Sequence, residues 1–383
     1  MYARSWTSLA ALLPKIDWPR RLQTLAVMHF LFLWLLLPIL SVWVPFYFLC
    51  TRFWPLITAY FLWTFYNRRA PREGSYGGLK WYRNHTVWRH FADYFPIRLV
   101  KTAELPPDRN YIIGSHPHGV LSISGFTHMV TNGTGFAEKF PGLESTILTL
   151  NGQFYFPFRR DVGIALGGVE SSKESLNYLL QNPGKGRAVC IVLGGATEML
   201  DACPDTHNLN ILTRRGFCRY AIMHGADLVP MYNFGENDVY QQVPNPPGSV
   251  LRTIQTKIKN MVGFCPPLFH GSGLLNKMFG LLPFRKPITS VMGNPIRVEK
   301  NLTPSDDEID ALHARYCEAL VGLFEDYKHL HKIPPHGVKD RTHYFIIVLH
   351  YYYAKYPFSH ELALRLQHGK EDLKNPKLKS FQV

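Results

Sequence analysis

Two histidines one residue apart, His116 and His118, stand in the stretch YIIGSHPHGVLSISGF (residues 111–126), with Pro117 between them and Gly119 behind them. Imidazole is the side chain that exchanges a proton near neutral pH, so the pair suits general-base work on a substrate hydroxyl. The spacing also suits a metal. A zinc site, however, needs a third or fourth ligand; after His118 the next acid is Glu138, and His128 stands alone. Proline and glycine by themselves also make a turn. Two other stretches carry groups of the right chemistry: GGATEML, with Gly194, Gly195 and Glu198, and NFGEND, with Asn233, Gly235, Glu236 and Asp238.

Each of these stretches follows a short apolar run. The runs at Tyr111–Ile113, Ala188–Leu193 and Leu228–Tyr232, with another at Ile288–Met292, read as buried strands. Between them VESSKESLNYLLQN reads as a helix stopped by Pro183 and Gly184, and RRGFCRYAIMHG as one ended by Gly225. This alternation predicts an α/β fold, in which functional groups gather beyond the carboxyl ends of strands. A histidine base, a carboxylate and glycine-exposed backbone N–H groups are then expected to share a cleft. The stretch TPSDDEIDALHARYCEALVGLFEDYKHL predicts a long helix with Thr303 as N-cap and Pro304 in the first position. Ile309, Leu312, Tyr316, Leu320 and Leu323 line one face of it, a pattern of core packing.

The 383 residues are 46% hydrophobic and only 18% charged, with a net charge of +14, which points to anionic partners such as phospholipid headgroups or a phosphorylated ligand. Nucleic acid is not expected, because there is no dense Lys/Arg tract, zinc finger or RNP-like motif. Six scattered cysteines without a C-x-x-C pair fit a reducing, cytosol-facing compartment. The sequons at Asn84, Asn132 and Asn301 are then expected to carry no glycan.

From Leu22 to Cys50 there is no Asp, Glu, Lys or Arg, and a second such run extends from Phe53 to Asn67. The first is long enough to cross a bilayer; the second is marginal. Arg4, Lys15, Arg20 and Arg21 precede the pair and Arg68, Arg69, Arg72, Lys80 and Arg83 follow it. Basic flanks on both sides keep both ends cytosolic, giving a transmembrane or re-entrant hydrophobic hairpin. Pro38, Pro45 and Pro55 favour its bending. The expected organisation is an N-terminal segment with the hairpin (1–66), a catalytic domain (67–330) and a C-terminal extension (331–383).

The same blocks carry a family resemblance. Tyr94-Phe95-Pro96, HPHG after YIIG, GGATE, and RRGFCRYAIMHGADLVPMYNFGEN (residues 214–237) follow one another in an order that resembles the type 2 diacylglycerol acyltransferase family, which includes monoacylglycerol and wax-alcohol acyltransferases. The resemblance covers roughly residues 20–330. It implies a fold similar to glycerolipid acyltransferases and acyl transfer from acyl-CoA to diacylglycerol, at the endoplasmic-reticulum membrane and on lipid droplets. Monoacylglycerol or a long-chain alcohol such as retinol is the alternative acceptor. A catalytically silent lipid-droplet protein and a metal-dependent lipid hydrolase are alternatives of other classes.

Glycerolipid acyltransferases use His-x-x-x-x-Asp, and here the fifth residue after His116 is Leu121 and after His118 is Ile123. The resemblance therefore assigns the base to His116 or His118, with His116 preferred by analogy and Glu198 expected to hold the imidazole. Gly119, Gly194 and Gly195 are the turn and oxyanion candidates. Arg159, Arg160, Arg214, Arg215 and Arg219 are candidates for the CoA phosphates. No cofactor and no metal are expected beyond acyl-CoA as co-substrate. The expected partners are acyl-CoA, diacylglycerol or another lipid alcohol and membrane lipids, with a homo-oligomer left open.

Overall fold

The structure is a computed structural model that describes residues 17–74, 78–181, 186–263, 265–274 and 279–331. These residues belong to one unit of the chain, Met1–Ile333. Beyond His331, the expected C-terminal extension lies outside the described residues.

Seven strands form one mixed sheet: β1 (Arg98–Lys101), β2 (Tyr111–His116), β3 (Glu144–Thr149), β4 (Gly168–Glu170), β5 (Arg187–Val192), β6 (Asp227–Phe234) and, after the separate short antiparallel pair β7 (Gln241–Gln242) and β8 (Phe269–His270), β9 (Thr289–Met292). The order across the sheet is β1-β9-β6-β2-β5-β3-β4. All neighbours run parallel except β6 and β9. The central strands β2 and β6 are buried at every position, as parallel strands covered on both faces must be, which is why they read as continuous apolar runs. Ser115 pairs in register with Val192 on one side and Met231 on the other, and His116 with Tyr232. The carboxyl ends of β6, β2 and β5 therefore lie side by side.

The described N-terminal residues do not stand apart from this body. Helix α1 runs from Trp18 to Leu49, and α2 from Trp54 to Tyr66. Within α1, Phe32–Leu36 widens into a π-helical turn just before Pro38, whose missing N–H leaves the carbonyl four residues earlier without its usual donor. The first half of α1 packs on helix α3 (Thr86–Tyr94), with Phe30 4.9 Å from Phe91 and 4.8 Å from Phe126 between ring centroids. From Leu36 onward, large apolar side chains face outward, among them Trp43, Phe46, Leu56 and Leu62. Apolar area left in water costs about 25 cal/mol per Å², so this exposed apolar surface is compatible with membrane anchoring. Of the two helices, α1 alone is long and apolar enough to cross a membrane.

Further helices include α4 (Arg159–Ala165), α5 (Lys173–Leu180), α6 (Gly195–Asp201), α7 (Gly216–His224) and α8 (Val250–Val262). The last, α9 (Asp306–Tyr327), packs on β6 and α7. Its cap differs from expectation: Ser305, not Thr303, is the N-cap. Ser305 Oγ accepts from Glu308 N at 3.2 Å, and Ser305 N donates to Glu308 Oε2 at 2.8 Å, closing a capping box; three residues after Thr303 stands the shorter Asp306, which pairs with Arg219 instead. Ile309, Leu312, Tyr316, Leu320 and Leu323 are all buried.

Candidate active site

The chain leaves β2 at His116, passes a cis peptide to Pro117, and turns through His118 and Gly119. The two imidazoles go to different places. His116 is fully buried, with Nε2 3.0 Å from the Tyr316 hydroxyl. That hydroxyl donates to the Gly114 carbonyl at 3.2 Å, so it accepts from His116 Nε2–H and leaves Nδ1 without a partner. Gly114 is required here, because a Cβ would overlap the Tyr316 hydroxyl. Burial pushes the His116 imidazole down to about 3, so it is neutral at any physiological pH.

His118 is only partly buried. Its Nδ1 lies 2.9 Å from the Gly119 carbonyl, which can only accept, so the neutral ring carries its proton on Nδ1 and offers Nε2 as a bare acceptor. Burial lowers its pKa below 6.5, opposed by this same hydrogen bond.

Two buried carboxylates hold the loop by its backbone. Glu198 Oε1 accepts from His118 N at 2.7 Å and Oε2 from Asn210 N at 2.9 Å. Glu236 Oε1 accepts from Ile123 N at 2.7 Å and Oε2 from Ser124 N at 2.9 Å. Burial pushes each carboxyl up to about 7, opposed by these amides and, at Glu198, by the charge of Arg214. The expected contact of Glu198 with an imidazole is thus corrected: its oxygens are taken by main-chain N–H groups, and what it fixes is the position of the His118 backbone. Asn233, one strand over, donates to Ser115 Oγ at 2.9 Å. Gly194 is buried against the Glu198 side chain, and Gly195 begins α6 in the half-exposed turn beside it.

The five candidate arginines scatter. Arg159 lies 4.3 Å from the Trp34 ring centroid and donates to Gln153, and Arg160 donates to Asp161 Oδ1 at 2.9 Å and to the Asn67 carbonyl. Both belong to the foot of the apolar hairpin. Arg215 pairs with Asp310 and Arg219 with Asp306 Oδ1 at 3.1 Å, both on α9. Arg214 is exposed and lies near Gly195 and Glu198. Among the described residues no three His, Cys, Asp or Glu side chains come together to hold a metal ion.

Tyr316 is the site residue that sequence reasoning missed. Its position in the apolar stripe of α9 is that of a packing residue, and nothing in the spacing distinguishes a ring packed for its area from one that delivers a hydroxyl to a strand 200 residues away. Tyr316→Phe leaves the His116 Nε2–H and the Gly114 carbonyl without that hydroxyl. We expect a loss of about 1–3 kcal/mol in stability, measured as a lower melting temperature of the detergent-solubilised protein, with activity reduced but retained.

Comparison with known proteins gives a consistent result. A family model described as diacylglycerol acyltransferase matches residues 46–339. The chain is 43% identical over 315 residues to a bovine protein, 2-acylglycerol O-acyltransferase 1, covering 82% of this chain and 94% of that one. It is 42% identical over 323 residues to a zebrafish diacylglycerol O-acyltransferase 2 (82% and 89% covered) and 41% identical over 310 residues to the human protein of that name (81% and 80%). No solved structure matches the chain.

Proposed function

The chain belongs to the diacylglycerol acyltransferase family, and from that premise we propose that it esterifies diacylglycerol with the acyl group of acyl-CoA, with His118 as the general base. The observation that carries the assignment of the base is the pair of imidazole environments. His118 has a bare Nε2 on a partly exposed ring, whereas the Nε2 of His116 is bonded to Tyr316 inside the core. This departs from the analogy that favoured His116.

In the proposed reaction the acceptor oxygen attacks the thioester carbonyl carbon as its proton passes to His118 Nε2, forming a C–O bond and a tetrahedral oxyanion. The backbone N–H at Gly119, beside the base, is the proposed donor to that oxyanion. Collapse breaks the C–S bond, and the imidazolium returns its proton to the leaving CoA sulfur. The thioester is already activated, so no acyl-enzyme is required. Acyl-CoA is the co-substrate, and no cofactor is invoked. The apolar hairpin and the basic residues on both its flanks support a place at the endoplasmic-reticulum membrane or lipid-droplet surface, with the catalytic unit cytosolic.

Monoacylglycerol is the second reading, favoured by the bovine relative named for 2-acylglycerol, whose 43% identity stands beside the 42% of the zebrafish relative named for diacylglycerol. Microsomes containing the chain, given labelled oleoyl-CoA with diacylglycerol, monoacylglycerol and a long-chain alcohol in competition, separate the acceptors. Labelled triacylglycerol as the main product is expected; labelled diacylglycerol as the main product would transfer the assignment to monoacylglycerol, and labelled wax ester to an alcohol.

The reaction needs Glu198 ionised, to accept both amides, and His118 neutral. As pH falls, Glu198 at about 7 takes a proton first, because His118 lies below 6.5. The acid limb of kcat/KM is therefore expected near pH 7. In Glu198→Gln the limb moves below pH 6.5 and the plateau drops roughly tenfold, since the amide can accept only one of the two N–H groups; a tenfold drop corresponds to about 1.4 kcal/mol. An unmoved limb in the variant would remove Glu198 from the titration.

A further inference from the structure

CoA carries a diphosphate and a ribose phosphate, and their binding calls for cations that are not already neutralised. Four of the five expected arginines are engaged elsewhere: Arg159 and Arg160 at the hairpin foot, Arg215 and Arg219 with the acids of α9. Arg214 has no carboxylate partner among the described residues. Its Nη2 lies 3.7 Å from where a Cβ on Gly195 would stand, and its charge reaches Glu198. At the Thr197 end of the same turn stands Lys259, which projects from α8 and donates from Nζ to Thr197 Oγ1 at 3.3 Å. Lys259 likewise has no carboxylate partner among the described residues. Between the two, Gly195, Ala196 and Thr197 are half-exposed, while Gly194 and Glu198 are buried.

A cation thus stands at each end of a turn of small residues, Arg214 at Gly195 and Lys259 at Thr197, neither in an ion pair among the described residues, and together they attract an anion to it. The turn is tied to the base through Glu198, which accepts from the His118 backbone N–H. We propose that Arg214 and Lys259 form the phosphate anchor of the acyl-CoA donor, holding it over the Gly195–Thr197 turn with its thioester end toward His118. This rests on the acyl-CoA reading above. Arg214 supplies the planar, two-pronged contact and Lys259 a point charge.

The test is binding, so it does not depend on turnover. CoA and pantetheine, which shares the thiol arm but lacks the nucleotide phosphates, are titrated into the full-length protein in detergent, as wild type, Arg214→Ala, Lys259→Ala and the double variant. Each single variant is expected to weaken CoA binding roughly tenfold, the scale of one charge-assisted contact, and to leave pantetheine binding unchanged. The double variant should also lose most of the salt dependence of CoA binding. Arg214→Lys is expected to fall between wild type and Arg214→Ala. Unchanged CoA affinity in the double variant would overturn the proposal, as would an equal loss for pantetheine. If the wild type transfers no acyl group yet binds CoA in this residue-dependent way, the anchor stands and the acyl-transfer reading alone fails.

Discussion

Replacing His118 with alanine is expected to lower kcat for acyl transfer by about 10²–10⁴-fold, the usual contribution of a positioned general base, with the melting temperature close to that of the wild type. The expectation follows from what the substitution spares. Glu198 holds the loop through the His118 main-chain N–H, which alanine retains. The lost side chain makes one hydrogen bond, to the neighbouring Gly119 carbonyl, and is partly exposed. His116→Ala behaves differently, because its ring is wholly buried against Tyr316. Removing it opens a space in the core and strips the Tyr316 hydroxyl of a partner, so stability falls along with activity. The assignment of the base therefore rests on a pair of measurements, turnover and melting, made on both variants. Loss of turnover without loss of stability in His116→Ala, alongside an active His118→Ala, would reverse it.

Gly119→Ala carries the second large effect. Gly119 has φ +63°, a conformation that costs an L-residue roughly 1–2 kcal/mol. A Cβ there would also lie 2.6 Å from both Cγ and Oε1 of Glu236. Glu236 is fully enclosed and cannot yield without releasing the Ile123 and Ser124 N–H groups, each a buried donor whose loss of partner costs about 1–3 kcal/mol. The sum is a large share of the net stability of about 5–15 kcal/mol typical of a folded domain. We expect activity to fall by more than about 100-fold, as the loop bearing His118 is displaced, together with a marked drop in melting temperature. Gly152→Ala is the control: nothing lies within 4 Å of a Cβ at that position, and neither quantity should change.

The parts of the fold legible in the sequence were those whose burial is set by the element itself. β2, β5 and β6 are apolar along their length and are followed by glycine-rich polar stretches, so both the strands and the gathering of their carboxyl ends could be read. The edge strands β1 and β4 are short, and Arg98, Lys101 and Glu170 interrupt their pattern. The cap of α9 was misread because Thr303 and Ser305 are both good capping residues, and only the reach of Glu308 selects Ser305. Glu198 was identified for its chemistry, but the identity of its partners depends on how the loop folds back on α6. The arginines were indistinguishable as residue types. The pairing of Arg215 and Arg219 with acids some 90 positions away, and the burial of Arg159 against Trp34, are products of tertiary packing.

The most direct measurement is the simultaneous count of free CoA thiol released and labelled triacylglycerol formed when microsomes containing the chain receive oleoyl-CoA and diacylglycerol. The two are expected to rise together, one for one, only when diacylglycerol is present and not with His118→Ala. Thiol release without matching ester, or ester formed equally by His118→Ala, would contradict direct transfer to diacylglycerol by a histidine base.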